Sequence, residues 1–141
     1  MKMDYDVIVI GSGPGGYVAA IRCAQLGLRT ACIEKSATFG GTCLNVGCIP
    51  SKALLESSHR YHQVLHNNKE HGIEVDNCKY DLRVMMKRKD SVVDSITKGV
   101  DYLLKKNKVV TIRATATLKD KNTVSLVDSD GKRSEVTADN I

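Results

Sequence analysis

Residues 5–21 read YDVIVIGSGPGGYVAAI, a β-branched run followed by a glycine-rich turn and an apolar segment. This order is typical of a strand, a tight turn and a helix that together bind a dinucleotide. Gly11 allows the tight turn, Gly13 lets the backbone approach a pyrophosphate, and Gly16 lets the helix pack closely on the strand. The pattern predicts a Rossmann-like α/β fold whose first helix binds phosphate through its free N-terminal amides and its dipole.

The segment after this helix supplies an acidic residue where a dinucleotide site needs one. Gly27 is expected to end the helix, and a second strand is expected at 29–33. Glu34 closes that strand, 18 residues after Gly16. A carboxylate there accepts hydrogen bonds from a ribose and repels a 2′-phosphate. A glycine-rich turn in an unrelated α/β domain is the alternative, but the strand, the helix and the acid together favour dinucleotide binding.

Two cysteines, Cys43 and Cys48, lie in the run GGTCLNVGCIPSK at 40–52. In a regular helix, residues five apart have α-carbons roughly 8.6 Å apart, whereas a disulfide allows no more than about 7 Å. Gly47 and Pro50 permit a departure from the regular helix. We therefore expect a helix that begins at Cys43, is bent in its first turns, and lets the two sulfurs form a disulfide when they are oxidised.

The surroundings of this pair predict a reactive thiolate. A helix N-terminus lowers the pKa of a thiol, and Lys52, one turn after Cys48, adds positive charge. Reversible exchange of electrons between sulfur and a bound cofactor is the favoured interpretation. A structural disulfide, two buried free thiols and a zinc site are the alternatives. The four-residue spacer, with no second Cys/His pair at a matching distance in the sequence, argues against zinc.

Together the two motifs resemble those of dihydrolipoamide dehydrogenases, flavoproteins of the class I pyridine nucleotide-disulfide oxidoreductase family. The resemblance runs from about Tyr5 to Ile141, and its most specific parts are CLNVGCIPSK at 43–52 and GYVAAIR at 16–22. Glutathione, mercuric and high-molecular-weight thioredoxin reductases share the GGTC opening but more often have Val at the position of Leu44. The glutathione and thioredoxin enzymes also usually have Lys where Ser51 stands.

The resemblance implies that the first nucleotide site binds FAD and that NAD binds to a domain absent from this chain. It implies FAD contacts from Gly11, Gly13, Pro14 and Gly16 at the pyrophosphate, Glu34 and Lys35 at the adenosine ribose, Ala116 at the adenine, and Gly41, Thr42 and Lys52 on the flavin side. It further implies that Cys43 meets the substrate and that Cys48 lies next to the flavin. No metal is implied.

The implied reaction is the oxidation of protein-bound dihydrolipoamide with reduction of NAD. The implied partners are the lipoyl domains of 2-oxoacid dehydrogenase complexes and, for the full-length enzyme, a second copy in a homodimer. Because members of this family are much longer, residues 1–141 are expected to be an N-terminal part of the FAD-binding domain, inactive alone and with weak or no retention of FAD. The alternatives are a glutathione or mercuric reductase type of enzyme, or a module that binds no flavin in isolation.

Composition excludes two other classes of function. No segment approaches 18 uninterrupted apolar residues, so no membrane span is expected. The net charge is +5, but the basic residues fall mainly in runs at 83–89 and 105–108 without interleaved aromatics. Such runs are typical of solvated helix faces and not of nucleic-acid binding. The first strand starts almost at Met1, which predicts a bacterial-type cytoplasmic protein, or a mitochondrial matrix protein if a leader has been trimmed.

Periodicity assigns the remaining elements. The expected units are a βαβ unit at 5–34, a helix carrying the cysteines at 43–67, a loop at 67–72, a second long helix at 81–106, and an antiparallel meander at 108–137 with strand runs at 108–113 leading into 115–118, at 123–127 and at 133–137. His62 and His66 lie one helical turn apart, and a polar surface is favoured over a metal site there. Cys23 and Cys32 are expected in the core, and Cys78 in a loop.

Overall fold

The computed structural model describes residues 3–66 and 71–141 and places six strands in one sheet, in the order β3-β2-β1-β6-β5-β4. The strands are β1 (Tyr5–Ile10), β2 (Thr30–Glu34), β3 (Val110–Arg113), β4 (Thr115–Leu118), β5 (Thr123–Val127) and β6 (Arg133–Asn140). The helices are α1 (Pro14–Gln25), α2 (Gly41–Asn45), α3 (Cys48–His66) and α4 (Leu82–Lys106). The predicted α/β class, a parallel sheet with helices and an antiparallel part, is confirmed.

The parallel half of the sheet is the predicted nucleotide-binding unit. β1 pairs in parallel with β2, with Val7 opposite Thr30 and Ile10 opposite Ile33. All five residues of β2 are buried, as a central parallel strand requires. The strand begins at Thr30, one residue later than expected. Gly27 follows the end of α1 with φ +87°, the left-handed conformation that ends a helix.

The expected meander needs one correction, because its first run belongs to the other half of the sheet. Residues 110–113 form β3, which pairs in parallel with β2, while β4 begins only at Thr115. Ala114 marks the break, and its N–H donates to the carbonyl of Glu34 at 3.1 Å. The antiparallel meander therefore consists of β4, β5 and β6. β6 also pairs in parallel with β1 and extends to Asn140, beyond the expected end.

The sheet has a different covering on each face because neighbouring side chains of a strand point to opposite sides. Ile8 and Ile33 lie on the face that packs against the meander, together with Val124, Leu126 and Ala138. Val9 and Cys32 lie on the other face, where helices cover the sheet through Ala20 of α1, Leu44 of α2, and Val100 and Leu104 of α4, together with Phe39. The cysteine motif is thus anchored to the sheet through α2.

The two long helices pack on one another beside the sheet. Asp81 caps α4 by accepting from the N–H groups of Arg83 and Val84, so the helix begins one residue after the expected position. Arg88 of α4 donates to the carbonyl of Ala53 in α3 at 3.0 Å. The expected end of the cysteine-bearing helix at residue 67 lies outside the described residues, and so does most of the expected loop at 67–72.

Within residues 3–66 and 71–141, no helix is both long and apolar enough to cross a membrane. In the same ranges, no group of three or more His, Cys, Asp or Glu side chains is arranged to hold a metal ion. His62 and His66 lie on the exposed side of α3 with their ring centroids 4.5 Å apart.

Candidate nucleotide and redox site

The glycine turn after β1 has the geometry that its sequence predicts. Gly11 has φ +91°, and its N–H donates to the carbonyl of Ile33 at 2.8 Å, which joins the turn to β2. A β-carbon on Gly16 would lie 1.9 Å from the carbonyl oxygen of Gly11. Only glycine therefore lets α1 approach the turn this closely.

The N-terminus of α1 keeps backbone donors free for a ligand. Gly13 is the N-cap and Pro14 occupies the first helical position, so no side chain caps the helix. The first described intrahelical bond from this end is donated by Tyr17 to the carbonyl of Gly13 at 3.0 Å. A β-carbon on Gly13 or Gly15 would meet no atom within 4 Å among the described residues. Space and donors therefore occur together here, as phosphate binding requires.

Four of the residues expected at the nucleotide lie around one cavity at the carboxyl ends of the strands. Gly11, Glu34, Lys35 and Ala116 line this cavity, whose volume is about 300 Å³. They come from the ends of β1 and β2 and from β4, and Ile10, Ile33, Ala114 and Thr115 complete the lining. Such a crevice outside the carboxyl ends of parallel strands is where ligands bind in open α/β sheets.

Glu34 is held in this cavity by hydrogen bonds from Ser12 and Ser36. Its side chain is buried, with 6% of the residue exposed. Oε2 accepts from the N–H of Ser12 at 3.0 Å and from its hydroxyl at 2.5 Å, and Oε1 accepts from the N–H of Ser36 at 2.9 Å. Burial raises the pKa of Glu34, but the bonds from Ser12 and Ser36 outweigh it and lower the pKa below its ordinary value. Glu34 is therefore ionised at neutral pH.

The glycine turn touches the cysteine motif directly. A β-carbon on Gly41 would lie 2.7 Å from the α-carbon of Gly13, and Gly41 has φ +60°. The N–H of Gly40 donates to both the carbonyl and the hydroxyl of Ser12, at 2.9 and 3.2 Å. These contacts fix the beginning of α2, and with it Thr42, beside the predicted pyrophosphate site.

The helix that carries the cysteines differs from the expected one. It does not begin at Cys43: α2 spans Gly41–Asn45, and a new helix begins at Cys48. Asn45 ends α2 locally, because its side-chain amide donates to the carbonyl of Gly41 at 2.8 Å. Gly47 fills the break closely, since a β-carbon there would lie 3.0 Å from the carbonyl oxygen of Thr42. The expected bend is therefore a full break between two helices.

The break brings the two cysteines together. Cys43 and Cys48 are free thiols, and the Cys43 side chain forms hydrogen bonds with both the side chain and the backbone of Cys48. Cys48 is the first residue of α3, so the Cys43 sulfur lies at the N-terminus of that helix. The disulfide of the oxidised state stays a prediction, and the contact between the two side chains is the arrangement that it requires.

The expectation of a lowered thiol pKa is wrong for Cys43 in this dithiol state. The pKa of Cys43 is raised above its ordinary value, first by the side-chain hydrogen bond with Cys48 and then by desolvation and the charge of Cys48. The backbone hydrogen bond from Cys48 and the charge of Lys52 act in the opposite direction but are smaller. A neighbouring thiol therefore outweighs the helix terminus and the lysine.

Lys52 lies away from the nucleotide cavity. It lines an open groove of about 700 Å³ along α3, together with Leu55, Glu56, Ser58, His59 and His62. Its charge acts to lower the pKa of Cys43, and Lys52 is not among the described residues that line the nucleotide cavity. The predicted site is thus divided into a nucleotide cavity and a thiol pair, joined through the contact between Gly13 and Gly41.

Sequence reasoning missed three residues that build this junction. Ser12 is completely buried and contacts both Glu34 and Gly40. Phe39 is also buried, and the guanidinium of Arg113 stacks on its ring at 3.6 Å from the centroid. Arg113 also donates to the carbonyl of Ser36 at 3.2 Å. The glycine pattern could have drawn attention to Ser12, but nothing in the sequence pairs Arg113 with Phe39.

Several known proteins are similar in sequence to this chain. The sequence model of the pyridine nucleotide-disulphide oxidoreductase family matches residues 5–141. The mitochondrial dihydrolipoyl dehydrogenase of Schizosaccharomyces pombe is 58% identical over 91% of this chain and 25% of its own length. The dihydrolipoamide dehydrogenase of Chaetomium thermophilum is 49% identical over 99% of this chain and 28% of its own length.

A relative with a different name has a similar identity. The leghemoglobin reductase of Vigna unguiculata is 55% identical over 89% of this chain and 24% of its own length. The chain thus spans about a quarter of the length of the curated relatives that it matches. Since the family match covers residues 5–141, and with them every residue of the nucleotide cavity and the thiol pair, this chain belongs to the pyridine nucleotide-disulphide oxidoreductase family.

Proposed function

We propose that this chain is the FAD-binding, disulfide-bearing part of a dihydrolipoamide dehydrogenase. The observation that carries the proposal is the contact of the glycine turn with the cysteine motif, where a β-carbon on Gly41 would lie 2.7 Å from the α-carbon of Gly13. Through it a nucleotide site and a pair of touching thiols share one scaffold. The names of the relatives from Schizosaccharomyces pombe and Chaetomium thermophilum support the choice of substrate.

The geometry fits the adenosine and pyrophosphate parts of FAD. Gly13 leaves open space at an uncapped helix N-terminus, where free amides would hold the pyrophosphate with Gly11, Pro14 and Gly16. Glu34, ionised and lining the cavity, would accept from the adenosine ribose. Lys35 and Ala116 line the same cavity and would lie at the ribose and the adenine.

The residues proposed on the flavin side are Gly41, Thr42 and Lys52. Gly41 and Thr42 begin α2, directly beside the glycine turn, so a cofactor that extends from the pyrophosphate along α2 would pass them before reaching the cysteines. When bound, FAD supplies a two-electron acceptor for the reduced thiol pair. Lys52, the exposed lysine of α3, would add positive charge on the flavin side.

The two cysteines would carry the exchange with substrate. A thiolate of dihydrolipoamide attacks the Cys43 sulfur of the oxidised pair, which forms a mixed disulfide and releases Cys48 as a thiolate. The second substrate thiolate then attacks the mixed disulfide, which gives lipoamide and leaves both cysteines reduced. Two electrons have then passed from the substrate dithiol to the protein dithiol. NAD, bound to a domain absent from this chain, is the proposed final acceptor.

The proposed partners are the lipoyl domains of 2-oxoacid dehydrogenase complexes and, for the complete enzyme, a second copy in a homodimer. Relatives from Schizosaccharomyces pombe and Arabidopsis thaliana are named as mitochondrial. The mitochondrial matrix is accordingly the location that we favour over a bacterial cytoplasm. Both compartments are reducing, which suits a disulfide that opens and closes during turnover.

A second candidate function is the reduction of another acceptor. It is favoured by two relatives that are named leghemoglobin reductases. The relative from Vigna unguiculata is 55% identical to this chain, and the one from Glycine max is 51% identical. A glutathione or mercuric reductase type of enzyme is less well supported, since both more often have Val at the position of Leu44, and the glutathione enzymes usually have Lys at the position of Ser51.

The experiment is a comparison of acceptors and donors with the complete enzyme that carries this sequence. We expect NADH formation from dihydrolipoamide, a visible flavin spectrum, and no oxidation of NADH or NADPH by oxidised glutathione. Turnover of glutathione without turnover of lipoamide would overturn the proposed substrate. Absence of any flavin from the complete enzyme would overturn the proposed function as a whole.

The chain of residues 1–141 should be measured beside it. We expect weak or no retention of FAD and no NADH formation, because the chain spans about a quarter of its relatives' length. Measured NADH formation by this chain alone would contradict the expectation that it is inactive in isolation.

A further inference from the structure

The buried hydroxyl of Ser12 occupies a junction between the nucleotide cavity and the cysteine motif. Ser12 is 0% exposed, and it lies between the two glycines of the turn. Its hydroxyl donates to Oε2 of Glu34 at 2.5 Å and accepts from the N–H of Gly40 at 3.2 Å. A hydroxyl has a single proton, so the bond from Gly40 directs that proton toward Glu34.

This arrangement restrains the orientation of the Glu34 carboxylate. An ionised carboxylate has about four acceptor positions. The N–H and hydroxyl of Ser12 occupy Oε2, and the N–H of Ser36 occupies one position on Oε1. Glu34 lines the cavity, and the two hydrogen bonds from Ser12 to Oε2 restrain rotation of its carboxylate.

We propose that Ser12 is a positioning residue that, through its hydroxyl, holds the carboxylate of Glu34 in the orientation that binds the adenosine ribose of FAD. This inference rests on the proposed function and deepens it by naming a determinant of cofactor affinity. A serine that only filled space at this position would have no preferred hydrogen-bond geometry, whereas Ser12 has a charged acceptor on one side and a backbone donor on the other. Hydrogen bonds to ionised groups are stronger than those between neutral groups, so the position of the Glu34 carboxylate depends heavily on the Ser12 hydroxyl.

The test is a ligand comparison with Ser12→Ala in the complete enzyme, stripped of flavin. The variant should fold, because Gly40 keeps its bond to the carbonyl of residue 12 and Glu34 keeps its bond from the N–H of residue 12. Each protein is titrated with FAD and with FAD that lacks the 2′-hydroxyl of the adenosine ribose. Ser91→Ala, on the exposed face of α4, is the matched control, and Ser12→Gly is a second variant.

We expect Ser12→Ala to weaken FAD binding at least about ten-fold, the scale of a lost hydrogen bond to a charged group. The affinity of this variant for the deoxy cofactor should fall no more than about two-fold, because that cofactor has no 2′-hydroxyl to donate to Glu34. Ser12→Gly should show the same pattern, and Ser91→Ala should change the dissociation constant of neither cofactor. An equal loss of affinity for the two cofactors, or no loss of affinity for FAD, would overturn the positioning role of Ser12. In either case, FAD binding by the wild-type enzyme would leave the proposed function standing. A wild-type enzyme that binds neither cofactor would overturn both.

Discussion

The α-carbon of Gly16 faces the carbonyl oxygen of Gly11 so closely that an added β-carbon would stand 1.9 Å away. Both partners belong to backbone, so neither can rotate aside as a flexible side chain would. The first helix, the turn and the first strand are therefore locked at a separation that a single methyl group would disrupt. Because Gly11 also bonds to Ile33, such a disruption would reach the second strand and Glu34.

Gly16→Ala should accordingly destabilise the fold by about 3 kcal/mol or more, at the upper end of the range for overpacking. It should also weaken FAD binding, because α1 would move away from the turn. Urea unfolding and flavin titration measure the two effects. Gly99→Ala is the control: Gly99 lies within α4 with nothing near its β-position, so this change should stabilise the protein by roughly 0.5–1 kcal/mol. Equal stabilities of the two variants would contradict the close contact.

Gly41→Ala tests the junction between the nucleotide site and the thiols. Gly41 and Gly131 both have positive φ, +60° and +77°, so alanine is strained at either position. Only at Gly41 would the methyl group also meet backbone, 2.7 Å from the α-carbon of Gly13. We expect Gly131→Ala to cost about 1–2 kcal/mol of stability and to leave cofactor affinity unchanged. Gly41→Ala should lower FAD affinity as well, and matching affinities in the two variants would refute the junction.

The roles of Cys43 and Cys48 predict a specific change in thiol content. The reduced protein has five free cysteines. Oxidation should remove two thiols that react with a thiol reagent, and both Cys43→Ser and Cys48→Ser should abolish this difference. Each variant should also lower lipoamide turnover of the complete enzyme at least about a thousand-fold, as loss of a covalent nucleophile does. Cys78→Ser, which lies in a loop distant in sequence from the pair, should preserve both the change in thiol content and lipoamide turnover. A loss of turnover of the same size in this variant would contradict the roles assigned to Cys43 and Cys48.

Glu34 predicts a dependence of stability on pH. Its pKa is lowered in the folded protein, because hydrogen bonds from Ser12 and Ser36 outweigh the opposing effect of burial. The folded state therefore binds this proton less readily than the unfolded chain, whose glutamate has a pKa of about 4.3. The stabilisation is fully present above that pH and is lost as the pH falls through the lower folded-state value.

Glu34→Gln should therefore be less stable than the wild type at pH 7, and the difference should shrink as the pH falls below about 4.3. Urea unfolding at a series of pH values measures it, and the comparison with the variant removes the contributions of Asp4 and Asp120, whose pKa values are also lowered. A difference in the free energy of unfolding that stays constant from pH 7 to pH 3 would show that the charge of Glu34 contributes nothing.

Local patterns predicted the parts of the fold that depend on neighbouring residues. The βαβ unit followed from strand and helix periodicity on either side of a glycine turn, and α4 followed from the helical periodicity of its apolar residues. The division at Ala114 did not, because residues 108–118 read as nearly continuous strand. Whether such a run pairs with β2 or with β5 is decided by contacts distant in sequence, such as the bond from Ala114 to Glu34.

The same distinction holds within the candidate site. Gly11, Gly16 and Glu34 were predicted because backbone conformation and charge leave a mark on the sequence. Ser12 was missed because its partners lie 22 and 28 residues away, and a serine in a glycine turn has no pattern of its own. The direction of the Cys43 pKa was wrong because it depends on how two side chains face each other, which spacing alone does not determine.

The double pairing of β6 has a consequence for biosynthesis. β1 lies between β2 and β6, and its neighbour Asp4 bonds to Thr137, which lies 133 residues later. Ribosomes add about 5–20 residues per second, so the first strand waits roughly 7–27 seconds for this partner to be made. During that time one edge of β1 is exposed to any other extended chain, and a factor that shields nascent strands would raise the yield of correctly folded protein.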